Sequence, residues 1–234
     1  LPVLSSGGPV TVCESSPATG ITLTGATVSG GFTAAWSIVS GGGSLSNTGF
    51  TNDPASVIYT PADGYSGNVV LQLISEDPAG PCNAVTVSKT ITINQRPIVN
   101  AGTSPQTICA GSTITMAASL GGSATTATWS TLGSGTFSNS NSINAVYTPS
   151  ASDIAAGTVS LTFTTNDPDA GGPCTAASST VVVNINPAVS INAGIDQTIC
   201  SNGTATLAAT VSGGATTGTW TSSGSGTFND NSLP

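Results

Sequence analysis

Few residues in this chain could do chemistry: five cysteines, ten carboxylates, three tryptophans, one lysine and one arginine, with no histidine. Without histidine there is no Ser-His-Asp or Cys-His arrangement to activate a nucleophile. Zinc loses its commonest nitrogen ligand, and no CxxC pair replaces it. Paired carboxylates could hydrolyse glycosides, but the acids here fall on turns at recurring positions, as structural residues do. Gly41-Gly42-Gly43 and Gly133-Ser134-Gly135 connect strands without opening a helix, so they do not resemble phosphate loops. Three chemistries remain. Cys13, Cys82, Cys109, Cys174 and Cys200 can cross-link. Asp63, Asp153, Asp77, Asp167 and Asp169 can offer oxygens to a hard cation such as calcium. Trp36, Trp129 and Trp220 can stack on sugar rings if exposed.

Most of these residues are phased. Ala124–Phe137, ATTATWSTLGSGTF, returns as ATTGTWTSSGSGTF over Ala215–Phe228, and a fainter copy surrounds Trp36. The tryptophans lie 93 and 91 residues apart. Cys13, Cys109 and Cys200 open the units, while Tyr59-Thr60-Pro61 matches Tyr147-Thr148-Pro149 and Asp77-Pro78 matches Asp167-Pro168. Leu23, Met116 and Leu207 each precede their tryptophan by 13 residues. One fold copied along the chain explains such phasing, with repeats over 1–94, 95–186 and 187–234. The third halts after its Gly-Ser-Gly-Thr-Phe hairpin, and half a sandwich would expose its core face. The expectation is that the polypeptide continues, or that another chain supplies the missing strands.

Within a repeat the apolar period is two. Ile114, Met116 and Ala118 alternate with small or polar neighbours, as do Val159, Leu161 and Phe163, Val69, Leu71 and Leu73, Val181, Val183 and Ile185, and Ile91 with Ile93. Seven short strands in about ninety residues, with turn signals between them and no helical period, predict an all-β fold of tandem immunoglobulin-like antiparallel sandwiches. The tryptophans keep a fixed phase to the second-strand core positions, which predicts burial over a role as sugar platforms.

At this point the residues resemble a family. Ala156-Gly157-Thr158-Val159-Ser160-Leu161-Thr162-Phe163 looks like the sixth strand of PKD-like and related Ig-like bacterial repeats. Asp196-Gln197-Thr198-Ile199-Cys200, with Gly203 and Leu207 after it, is similar to repeats of very large surface adhesins of gliding Bacteroidota exported by the type IX pathway. A PKD domain usually follows its tryptophan with an acidic, glycine-bearing turn, whereas Trp129 precedes Ser130-Thr131-Leu132-Gly133. That departure leaves the subfamily open. The resemblance implies a cell-surface, gliding context.

Composition restricts the partners. A net charge of −8 with two basic residues repels a phosphate backbone, excluding nucleic acid. No apolar run reaches the ~20 residues that would insert in a bilayer as a helix. Charged residues make up only 5% of the chain, so the surface must be mostly hydroxyls and amides. The scarcity of Lys and Arg removes trypsin-type cleavage sites, which suits an extracellular protein.

The cysteines read as disulfides formed in an oxidising space. Pairing inside each repeat, Cys13 with Cys82 and Cys109 with Cys174, is the obvious choice. In an Ig topology, however, those turns lie a strand length of ~20 Å apart, and a disulfide needs Cα atoms within ~7 Å. Head-to-tail stacking favours a staggered bond between repeats, Cys13 with Cys174, leaving Cys82, Cys109 and Cys200 to partners outside this stretch. The same stacking would bring Asp63 of one repeat toward Asp167 and Asp169 of the next as a calcium cage; the competing reading gives these acids ordinary turn and capping roles. The expected protein has no active site and no cofactor beyond that calcium. It is a stiff stalk segment of a secreted, repetitive surface adhesin or extracellular filament, with neighbouring repeats of its own chain as partners. Two alternatives stand beside it: a carbohydrate-binding module gripping surface polysaccharide, and a self-assembling filament packing against identical chains.

Overall fold

The computed structural model describes residues 1–77, 80 and 83–233, so Cys82 lies outside the described residues. The described chain is nearly all β and folds as tandem immunoglobulin-like antiparallel sandwiches. It packs as two compact units. The first comprises Leu1–Val99 together with Leu120–Thr126 and Thr165–Ala177; the second comprises Asn100–Ser119, Ala127–Thr164 and the chain from Ser178 onward.

Among the described residues the first repeat has nine strands: β1 (Leu4–Ser6), β2 (Val10–Cys13), β3 (Ile21–Thr22), β4 (Ala26–Val28), β5 (Ala34–Ser40), β6 (Ser44–Leu45), β7 (Ile58–Thr60), β8 (Gly67–Ser75) and β9 (Thr86–Asn94). One sheet runs β2-β9-β8-β5, facing β3-β7-β6 and the β1-β4 pair. The leading strand is split. β1 pairs antiparallel with β4, and after the Gly7-Gly8 break β2 pairs parallel with β9, Val10 opposite Ile91 and Cys13 opposite Asn94. The period-two residues of β8 and β9 all turn inward: Val69, Leu71, Leu73, Ile91 and Ile93 are buried against Leu23, Trp36 and Tyr59. Burial of this order, at roughly 25 cal/mol per Å² of apolar surface, is what holds two short sheets together. Glycine is needed at 41–43, where three successive residues have φ of 97°, 70° and 92° and a Cβ on Gly43 would meet the Tyr59 ring. That close approach lets Tyr59 Oη donate to Gly42 O at 2.7 Å.

The second repeat copies this plan with β10 (Pro97–Asn100), β11 (Gln106–Cys109), β12 (Ile114–Thr115), β13 (Ser119–Gly122), β14 (Ala127–Thr131), β15 (Thr136–Phe137), β16 (Val146–Thr148), β17 (Thr158–Thr165) and β18 (Ser178–Asn186). Its sheets are β11-β18-β17-β14 and β12-β16-β15, with β10 beside β13, and β11 again pairs parallel with β18. Two features depart from the sequence expectation. Nine strands replace seven because the outer strands break and change sheets, and a helix, α1 (Ala151–Ala156), sits between β16 and β17. Six residues cannot display an apolar period, which is why periodicity misses α1. Its caps are nonetheless written in Ser150, whose side chain accepts from Asp153 N, and in Gly157, left-handed at φ 72°.

Over 187–233 the chain forms β19 (Ser190–Asn192), β20 (Thr210–Ser212), β21 (Gly218–Thr219) and β22 (Ser232–Leu233), in two hairpin-like pairs. Most large aliphatic residues here are exposed, among them Val189, Ile191, Ile195, Ile199 and Leu207. Leu207 is 42% exposed, against 0% for Leu23 and 1% for Met116 at the matching positions. Trp220 is half-buried where Trp36 and Trp129 are buried. The strands that cover this face in the preceding repeats are β8 with β9, and β17 with β18.

Candidate functional site

Three of the chemistry-bearing residues, Cys13, Cys174 and Asp169, come together within the first unit, where the end of β9 meets the loop between β17 and β18. Parallel pairing carries Cys13 to the last rung of β2 beside Asn94, and Glu14 N extends the ladder by donating to Asn94 O at 2.8 Å. Cys13 is disulfide-bonded to Cys174, with Cα atoms 4.9 Å apart and 161 residues of sequence between them. The bond therefore joins the first strand of repeat one to a loop of repeat two.

Polar contacts surround it. Asn94 Nδ2 donates to Asp169 Oδ2 at 3.0 Å, and Cys174 N donates to the same oxygen at 3.1 Å. Hydrogen bonding, led by Asn94, holds the Asp169 carboxyl below its ordinary range. Cys174 Sγ lies 3.6 Å from the carbonyl oxygens of Asn94 and Gln95, and Cys174 is fully buried. Arg96 Nε faces Glu14 Oε1 at 3.8 Å, and Ser123 N donates to Arg96 O at 3.1 Å. Few residues link the repeats (Gln95 and Arg96 lie between β9 and β10), and backbone bonds, a carboxylate bridge and a covalent bond all bear on them.

The remaining cysteines differ. Cys109 ends β11 as Cys13 ends β2, and Cys200 holds the corresponding place in the third repeat; both are exposed free thiols. Cys82 falls outside the described residues, and with it any statement about its bond.

The structure does not bring the five aspartates together. Asp63 is exposed and accepts from Ser16 Oγ at 3.1 Å. Asp77 is exposed. Asp167 Oδ1 caps its own turn, accepting from Asp169 N and Ala170 N. Asp153 is buried within the first turn of α1 and belongs to no joint. Among the described residues no three acidic, histidine or cysteine side chains converge. Asp169 Oδ1 is covered and unpartnered, but one oxygen falls far short of the six to eight that calcium takes. The donor set does not fit the ion. Thermal melts with and without a chelator should therefore superimpose; a midpoint several degrees lower in chelator would restore the calcium cage.

Asp153 has a different task. Its Oδ2 accepts from Ser150 N at 2.8 Å and Tyr147 Oη at 2.9 Å, and its Oδ1 from Ser134 N at 3.2 Å. Burial alone would raise this carboxyl, but the bonds from Ser150, Tyr147 and Ser134 together outweigh it and hold the group below its ordinary value. A folded pKa below the unfolded one stabilises the fold above the unfolded value near pH ~3.9, and that contribution fades as pH falls through the lower folded value. Asp153→Asn should weaken the second unit by about 1–3 kcal/mol at neutral pH and flatten the acid limb of its stability curve. An unchanged limb, measured by denaturant unfolding between pH 2 and 7, would contradict this role.

Trp36 and Trp129 are 2% and 3% exposed. Their indole N–H groups donate to Pro54 O and Ser142 O, each at 3.0 Å. Trp129 stacks on Phe163 at 4.5 Å and on Phe137 at 5.8 Å between centroids. With faces packed and N–H groups engaged, neither offers a platform for a sugar ring. Sequence reasoning passed over Lys89. It is 2% exposed, its Nζ donates to Ser6 O at 3.1 Å and Gly8 O at 2.7 Å, and burial lowers its pKa. The signal was its place on the inward face of β9, two residues before Ile91.

The fold and joint define a class: tandem Ig-like sandwiches with a covalent link across the repeat boundary. No family model matches the chain, and no curated protein does. Among solved structures it is similar to human cadherin-23 EC21-23, at 17% identity and TM-score 0.44, covering 78% of this chain and 63% of that one. It is also similar to mouse cadherin-23 EC22-24, at 15% identity and TM-score 0.42, covering 80% and 67%. For protocadherin gamma B2 extracellular domains 3-6 the figures are 16% and 0.37, covering 82% of this chain and 49% of that one. The chain thus spans about half to two thirds of these proteins' lengths, and the likeness is one of β-sandwich architecture alone. Among the described residues no helix is long and apolar enough to cross a membrane.

Proposed function

We propose that this chain is a structural stalk segment of an extracellular, surface-displayed adhesin or filament, non-enzymatic, whose repeats supply reach and whose joints supply stiffness. The observation that carries this reading is the Cys13–Cys174 bond between consecutive repeats. A disulfide persists in oxidising compartments, and one placed across a repeat boundary restrains a hinge instead of closing a pocket. Asp167 serves a turn, Asp153 a helix cap, and Asp169 and Glu14 contacts around the repeat boundary, which is the pattern of a scaffold. Cys109 and Cys200 repeat the position of Cys13, and each takes the same staggered bond to a loop cysteine of a following repeat. The resemblance of Asp196–Leu207 and Ala156–Phe163 to repeats of type IX-exported gliding adhesins supports the surface setting.

The test is antibody labelling of the intact cells that make the protein, using serum raised against residues 1–234, with negative-stain imaging of the labelled particles. Label on unbroken cells along extended, beaded particles is expected. Label that appears only after lysis would end the proposal.

A further inference from the structure

The disulfide does more to a pulled chain than stiffen a hinge. In a linear polypeptide under tension, load follows the shortest covalent path between the points pulled. Here that path enters at Leu1, runs through β1 and β2 to Cys13, crosses to Cys174, and leaves along β18 and the third repeat. Residues 14–173 hang from it as a closed loop. Every strand from β3 to β9 and from β10 to β17 lies inside that loop, including Trp36, Trp129 and the core positions of β8 and β17.

We propose that the Cys13–Cys174 bond is a load bypass: tension applied along the chain is carried past residues 14–173 and cannot extend them while the bond is intact, β18 with its core residues Val181, Val183 and Ile185 staying on the path. Its use in the organism rests on the stalk reading; the bypass itself rests on connectivity. The elements left on the path suit the task. β18 is already extended over nine residues and held between β11 and β17, so it can lengthen little before its ladders break. β2 is held by a parallel ladder to β9, with four partnered residues from Val10–Ile91 to Cys13–Asn94. Pulling along such a strand loads those rungs together and not one by one.

The consequence is a redox-set limit on extension. With the bond intact, the path holds residues 1–13 and 174–234, or 74 residues, about 250 Å fully drawn out at ~3.4 Å per residue. A dithiol reductant supplies two electrons and two protons, leaving two thiols and itself becoming a disulfide. The 161-residue separation then joins the path, adding roughly 550 Å of contour.

The experiment is single-molecule stretching of the 234-residue chain between handles at its two ends, first oxidised and then in dithiothreitol, with Cys13→Ser/Cys174→Ser as a bond-free variant. Expected are releases totalling no more than about 250 Å when oxidised, and about 550 Å more after reduction and in the variant. Full-length release from the oxidised chain, or no gain on reduction, would overturn the bypass. Should the variant prove too unstable to stretch, the oxidised and reduced traces of the unaltered chain decide alone. A bypass confirmed on a protein that antibodies find only inside cells would sink the stalk reading and leave the mechanics standing, whereas surface display with uncapped extension would do the reverse.

Discussion

Breaking the Cys13–Cys174 bond is expected to lower resistance to unfolding by about 3–5 kcal/mol. Chain entropy supplies the magnitude: closing a 161-residue loop restricts the unfolded chain more than the short loops of most disulfides, and the model gives about 5 kcal/mol at this length. The bonded loop also holds Asp169 against Asn94 and the 120–126 segment near Arg96, so its loss should loosen contacts around Gln95 and Arg96 as well. The comparison is denaturant unfolding of the oxidised chain against Cys13→Ser/Cys174→Ser, with Cys109→Ser/Cys200→Ser as control. The first variant should shift strongly. The second should not, because both thiols are exposed and unbonded. Equal curves for all three would mean that the bond contributes nothing to the fold.

The second large effect separates tryptophans that the sequence makes look alike. Trp129→Ala should destabilise the second unit by about 3–5 kcal/mol, since it empties a site filled by an indole stacked on Phe163 and removes one of the two donors to Ser142 O, leaving only Ala145 N. Trp220→Ala should cost under about 1 kcal/mol in this chain: Trp220 is half-buried, and no strand like β17 covers it. Near-ultraviolet dichroism and denaturation midpoints of the two variants measure the contrast. Equal losses would show that the third repeat is as well packed as the second.

Where apolar side chains alternate over five or more residues, the sequence was legible almost residue by residue. Val159, Leu161 and Phe163, and Val181, Val183 and Ile185, all turn inward, because a period of two has only one reading on a sheet with a buried face. Short and irregular pieces were not legible. The first strand divides at Gly7-Gly8 and pairs in parallel with β9, a long-range choice that four-residue strands do not announce. The α1 helix is too short for a period, and only the Ser150-x-x-Asp153 capping pair marks it.

At the site, residue type was readable and duty was not. Asp153 and Asp169 look equivalent as turn acids, yet one is the buried cap of a largely exposed helix and the other bridges two repeats, a difference made by Tyr147, six residues from the first, and Asn94, seventy-five residues from the second. Lys89 escaped notice because a lone charge within an apolar alternation resembles an outward-facing exception. Its two carbonyl acceptors come from the end of β1 and the break after it, more than eighty residues earlier.

The chain contains a single lysine, Lys89, which separates Cys13 and Cys82 from Cys109, Cys174 and Cys200. Cleavage after that lysine, in denaturant with free thiols blocked and no reductant, tests the joint directly. The structure predicts that residues 1–89 and 90–234 stay linked until a reductant is added, with mass spectrometry placing the link between Cys13 and Cys174. Two separate pieces before reduction, or a linked peptide joining Cys109 to Cys174, would contradict it.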